Sequence, residues 1–141
     1  MALYYINEGA FELPEHDFID RSVQILESPL DDGTLTISVQ RDRFESGQTL
    51  DDLARTHIEK ASRALRGYAI LLQRESTAAG VRAIEIGTRW RGDTYMVYTR
   101  QAFLPISVSA WLLVSGNAPI THREACDRAV EHVLETLQLR E

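Results

Sequence analysis

Four histidines and one cysteine are the side chains of this chain best suited to metal, acid–base or nucleophilic chemistry: His16, His57, His122, His132 and Cys126. Zinc sites gather three or four such ligands at short spacings. These histidines sit on separate segments, so no metal site is expected from them. His122 and Cys126 stand four residues apart, which on a helix places them on neighbouring turns, and a hydrolase built on this base and thiol is one reading. The other reading is structural. Cys126 continues an apolar stripe, and a buried thiol without a positive neighbour stays protonated and inert. Glu15-His16-Asp17 joins two carboxylates to an imidazole but follows Pro14 in a turn, with no partner base in view, and reads as a solvated loop. Asp20-Arg21 and Glu85 read either as charge-paired recognition residues or as exposed charges that discourage strand-edge pairing, and the second is expected. The chain has no Gly-rich phosphate loop, nucleophile elbow or His-Glu-x-x-His motif. Neither enzymatic turnover nor a cofactor is expected.

The elements that would position these residues follow from periodicity. Residues 3–13 read as two short strands broken at Asn7-Glu8-Gly9 and closed by Pro14; a third strand follows with Val23 and Ile25 on one face. Thr34 to Gln40 alternate strictly, setting Leu35, Ile37 and Val39 on one face of the next strand, with Asp31-Asp32-Gly33 as the turn before it. Residues 49–66 switch to helical spacing, with Leu50, Leu53, Ala54, His57, Ile58, Ala61 and Leu65 in one stripe. Thr49 with Asp52 supplies the start signal and Gly67 the stop. Four further strands are expected over Tyr68–Arg74, Val81–Trp90, Thr94–Leu104 and Ile106–Val114, separated by turns at Ala79-Gly80 and Gly92-Asp93, with Gly116-Asn117 closing the last. Thr121 and Glu124 form a second start box, for a helix whose inner stripe runs from Ala125/Cys126 to Leu137.

This order predicts one α+β domain over residues 1–141, a twisted, mainly antiparallel sheet with two principal helices packed on it. The strand at 106–114 is apolar on both faces. Two helices leave one side of such a sheet short of cover unless the N-terminal hairpin and loops close it, or a second copy or an apolar ligand does. Trp90 and Trp111 read as core.

Composition narrows the partners. In 141 residues, 44% are hydrophobic, enough for a single core. Fifteen basic residues against 21 acidic ones give a net charge of -6, and Lys60 is the only lysine. Nucleic acid is therefore an unexpected partner. No stretch approaches the roughly 18 apolar residues of a membrane span. The first residues lack a basic, apolar leader, and one cysteine makes no internal disulfide, so a cytoplasmic protein without direct membrane insertion is expected.

The opening Leu3-Tyr4, Asn7-Glu8-Gly9 and Phe11-Glu12-Leu13-Pro14, then Asp20-Arg21-Ser22-Val23 and Pro29, with the later Trp90 segment and Arg100-Gln101-Ala102-Phe103, resemble the DcrB-like family. Its cytoplasmic members include the Eag (effector-associated) chaperones of type VI secretion. The resemblance implies a Mog1/PsbP-like architecture and a homodimer. It implies, as partner, a secreted effector with N-terminal transmembrane helices and a spike-tip (PAAR) domain. Carried over by position, the partner-binding surface would comprise Val23, Ile25, Ile37, Val39, Ala61 and Leu65, with two polar positions, His57 and Gln101. His57 departs from the glutamine that the family tends to place there. The alternative is a module for a soluble partner, in the manner of Mog1-like proteins.

Overall fold

Thr49 and Asp52 cap the first helix as their spacing predicts. Thr49 Oγ1 accepts from the Asp52 N–H at 3.1 Å, and the Asp52 carboxylate accepts from the Thr49 N–H at 3.0 Å, so two donors of the helix start are satisfied reciprocally. In the computed structural model, which describes residues 2–139, helix α1 spans Leu50–Ala64. The Leu65 N–H still bonds to the Ala61 carbonyl, and Gly67 then takes a left-handed φ of 65°.

Strands β1 (Ala2–Ile6) and β2 (Gly9–Leu13) form an antiparallel hairpin separate from the main sheet. That sheet contains β3 (Val23–Leu30), β4 (Gly33–Arg43), β5 (Ala69–Ala78), β6 (Val81–Arg91), β7 (Met96–Pro105) and β8 (Ala110–Pro119). Its spatial order is β3-β4-β8-β7-β6-β5, antiparallel throughout. Helix α2 (Arg123–Thr136) closes the chain. The architecture is the expected α+β arrangement in a single domain.

Three local expectations are corrected. The last strand begins at Ala110 and not at Ile106, because residues 106–109 fold into a turn in which the Ile106 and Ser107 N–H groups both reach the Ala110 carbonyl. Gly116-Asn117 lies within β8 and not in a turn. A Cβ at Gly116 would come within 2.6 Å of Val130 Cγ2 and 3.0 Å of Cys126 Sγ, so the missing side chain admits α2 to the sheet. The second start box is also absent. Thr121 Oγ1 donates to Asp32 instead, and α2 begins without a side-chain cap after a short 3-10 turn at Ile120–His122.

Register assigns the faces, since residues directly opposed on neighbouring strands point the same way. Phe103, Leu113, Ile84 and Ile86 pack beneath Leu50, Leu53 and Ala54 of α1. Ala102, Leu104, Leu112 and Val114 pack on the opposite side against Val130 and Leu134 of α2. The two helices therefore cover opposite faces, which removes the expected shortage over the middle of the sheet. Cover is unequal, however. Helix α1 lies over β6 and β7, and β3, at the far edge, keeps Val23 and Ile25 51% and 61% exposed.

Helix α2 is held by charge as well as by apolar packing. Arg100, only 3% exposed, donates to Glu85 at 2.6 Å and to Asp127 of α2 at 2.9 Å. Tyr98 donates to the same Asp127 oxygen at 2.6 Å. Glu85 is thus buried in an inner strand and not an exposed edge charge as its sequence context suggests. Burial by itself would raise its pKa, yet the Ser76 and Arg100 side chains and the Arg74 charge hold it below the ordinary value.

Candidate functional site

The face beside α1 gathers six of the eight residues assigned to partner binding. Val23 stands opposite Gln40 and Ile25 opposite Ser38, and Ser38 is opposite Ser115, which is opposite Gln101. One row of side chains therefore crosses the sheet from the exposed edge to α1. At its inner end the Gln101 amide nitrogen lies 3.1 Å from His57 Nε2 and 3.2 Å from Ser115 Oγ. Ala61 follows His57 at four-residue spacing along the same side of α1, and Leu65 follows Ala61 as the extended cap that ends the helix. Leu65 borders a cleft of about 410 Å³ with Trp90 and Val97.

Ile37 and Val39 do not join this face. Ile37 opposes Gly116 and Val39 opposes Val114, so both point to the α2 side and pack against its core. The assignment of these two residues to the same surface as Val23 and Ile25 is corrected. Alternation predicts correctly that they share a face, but the pairing of β3 with β4 sets Gln24 and Leu26, not Val23 and Ile25, beside them. Val39 instead lines a cleft of about 460 Å³ with Tyr4, Asp20, Arg41 and Leu112.

Between the exposed edge and α1 the middle of the surface is polar and uncharged, with Asp42, paired to Arg21, and Glu27 at its two ends. Thr36, Ser38 and Gln40 of β4 and Ser115 and Asn117 of β8 all point to it. A second row runs parallel to the first: Trp90 Nε1 donates to Thr99 Oγ1 at 3.0 Å, and Thr99 Oγ1 lies 2.6 Å from Asn117 Oδ1. The result is a shelf with an apolar rim at Val23 and Ile25, a wall at α1 and hydroxyl and amide groups between. Sequence reasoning assigned no role to Thr99 or Ser115 and placed Asn117 in a turn. Their signal, polar residues alternating with apolar ones along β7 and β8, was hidden because both strands are buried on their other side.

His57 is the titratable group of the wall that meets Gln101. Burial pushes its pKa below the usual value, with help from the nearby Lys60 charge, although the Gln101 contact opposes the shift. Its ring also meets Phe103 edge-on, with centroids 5.2 Å apart. Neutral His57 can accept from the Gln101 amide, which then retains a free carbonyl.

The other candidate chemistry resolves into local structure. His122 Nε2 lies 2.6 Å from Asp32 Oδ1. Cys126 is fully buried, and burial, followed by the Asp127 charge, pushes its thiol up to about 11, the reverse of what an attacking thiolate needs. Among the described residues no three His, Cys, Asp or Glu side chains converge where a metal could sit, and no helix is long and apolar enough to cross a membrane.

Comparison with known proteins gives a family and a fold. The DcrB family model matches residues 8–136. No curated protein matches the chain by sequence. Among solved structures, a Pseudomonas aeruginosa protein of unknown function, PA94, is similar over 100% of this chain and 98% of its own, with a TM-score of 0.84 at 20% identity. LpqN, involved in cell envelope biogenesis of Mycobacterium tuberculosis, is similar over 83% of each chain, with a TM-score of 0.60 at 12% identity. At these identities the likeness is one of fold.

Proposed function

The chain belongs to the DcrB family, and from that premise we propose that it is a chaperone-adaptor that binds the N-terminal transmembrane helices of a type VI secretion effector and shields them before export. It works without a catalytic step or cofactor, in the cytoplasm, as a homodimer. The observation that carries the reading is the shelf: a sheet face left open beside α1, with exposed Val23 and Ile25 at its rim and the uncharged Ser38, Gln40, Ser115 and Asn117 between, while Asp42, paired with Arg21, and Glu27 lie at its ends. An apolar helix set there removes its own side chains from water, at about 25 cal/mol per Å², without desolvating an ion. Ala61 supports close approach, because a small residue on α1 lets a second backbone come near. Gln101 and the half-buried Thr36 and Ser38 hydroxyl groups satisfy polar atoms that such helices carry.

The deciding experiment is affinity purification of the tagged protein from its native cells, with mass spectrometry of what accompanies it. Enrichment of one large protein with N-terminal transmembrane helices and a spike-tip domain is the expected result. Recovery of water-soluble regulators alone would overturn the reading in favour of a soluble-partner module. Ala61→Asp and Leu65→Glu are expected to reduce capture at least tenfold while circular dichroism remains that of the folded domain, since a charge on the wall must be desolvated against an apolar client.

A further inference from the structure

Resting on that reading of the shelf, we propose that Asn117 is a specificity-determining hydrogen-bond donor, held in this sense by Trp90 acting through Thr99. The client it favours is an apolar helix carrying a side-chain oxygen acceptor where it crosses β8.

The bonds of this row have a direction. An indole nitrogen can only donate, and Trp90 Nε1 donates to Thr99 Oγ1 at 3.0 Å. Having accepted there, the hydroxyl turns its single proton toward Asn117 Oδ1. The 2.6 Å separation is usual for O–H···O and short for N–H···O. The Asn117 amide is thereby held with its carbonyl engaged and its nitrogen released. No hydrogen bond from Asn117 Nδ2 is formed among the described residues, and Asn117 is half-buried, so its nitrogen remains within reach of a ligand.

Position completes the case. Asn117 lies opposite Thr36 on β4 and Thr99 on β7, on the side that α1 leaves uncovered. Its diagonal neighbour Gln101 has the opposite polarity, with its amide nitrogen turned to His57 and Ser115. Diagonal neighbours across an antiparallel pair stand about 7–8 Å apart, close to the roughly 6 Å between helical residues four apart. The shelf thus presents a donor and an acceptor about one helical turn from each other. A wholly apolar helix laid over Asn117 would strip water from its amide protons and return nothing, whereas one with an acceptor oxygen replaces the lost bond.

The test uses two lysine-flanked Leu/Ala peptides of about 20 residues, the length of a membrane span. They are identical except for one central residue, methionine in one and methionine sulfoxide in the other, so that they differ by a single acceptor oxygen. That residue is placed in turn at four successive positions, so that every side of the helix is presented to the sheet. The affinity ratio of sulfoxide to methionine peptide is the readout. At one position the ratio is expected to be about tenfold higher for the native protein than for Asn117→Asp, which keeps the Thr99 partner but loses the donor, one hydrogen bond being worth roughly that factor. Trp90→Phe, which releases Thr99, should lower the ratio roughly threefold, part of the same bond. A purely structural role for either residue would weaken both peptides together and leave the ratio alone, and that result would overturn the proposal. If the methionine peptide binds and Ala61→Asp displaces it while the ratio is the same in every variant, the client-helix reading stands and this inference fails. If neither peptide binds the native protein, both fall.

Discussion

His57 and Cys126 show how one physical term, loss of water, sets the chemistry of single residues in this protein. Burial lowers the pKa of His57 in the folded chain below the unfolded value near 6.5. A depressed histidine pKa favours the fold in its neutral form: the contribution is complete above pH 6.5 and is lost as pH falls through the folded value. Nuclear magnetic resonance titration of the ring should therefore give a midpoint below 6.5. Urea denaturation should show stability declining as pH falls below that point, with a shallower decline in His57→Gln; an equal slope in the two proteins would sink the assignment. Cys126 is expected to resist thiol reagents in the native state and to react at the rate of unfolding, because its thiol is buried and its pKa raised to about 11. Rapid modification of the folded protein would contradict this burial.

At the scale of elements, α2 depends on two features of the strands beneath it. Gly116 leaves room for Val130 and Cys126. Gly116→Ala should cost about 1–3 kcal/mol through overpacking, read as a lower urea midpoint with an unchanged slope. Arg100 joins Glu85 of β6 to Asp127 of α2. Arg100→Ala would leave the buried Glu85 carboxylate with only the half-exposed Arg74, at 3.5 Å, as a cationic partner among the described residues, and a loss of about 3 kcal/mol is expected. Glu85 also gives the acid limb of stability its sign. With a folded pKa lowered below the ordinary value of 4.5, its contribution is present above that value and lost as pH falls through the folded one. Glu85→Gln should flatten the stability profile in that range. Helix α1 relies instead on its Thr49–Asp52 cap and its apolar stripe, features confined to a few turns of chain.

For the whole molecule, the unequal cover of the two faces decides what is available to a partner. Helix α2 lies over β7, β8 and β4, whereas α1 lies over β6 and β7 and leaves β4 uncovered on its side; β3 at the edge is exposed on both faces, Leu26 at 64% included. Capture of a client helix is accordingly expected to be sensitive to Ile25→Asp, which charges the open rim, and insensitive to Leu26→Asp, its neighbour on the opposite face; equal loss of capture in both would show that the client does not use this face. The sequence determined most of the elements themselves: the Thr49–Asp52 cap and the periods of two and 3.6 are properties of neighbouring residues, and they identified α1, the apolar stripe of α2, the antiparallel class and the apolar sets of β3 and β4. Alternation also stated correctly which residues of one strand share a face. It could not state which face, because reversing a period-two pattern gives the same pattern. Only the pairing of β4 with β3 on one side and β8 on the other, and the seating of α2 on Gly116, sent Ile37 and Val39 into the core while Val23 and Ile25 turned to the open shelf. The burial of Glu85 and the alignment of Trp90, Thr99 and Asn117 likewise join residues distant along the chain, and such contacts exist only once the strands have been placed in order.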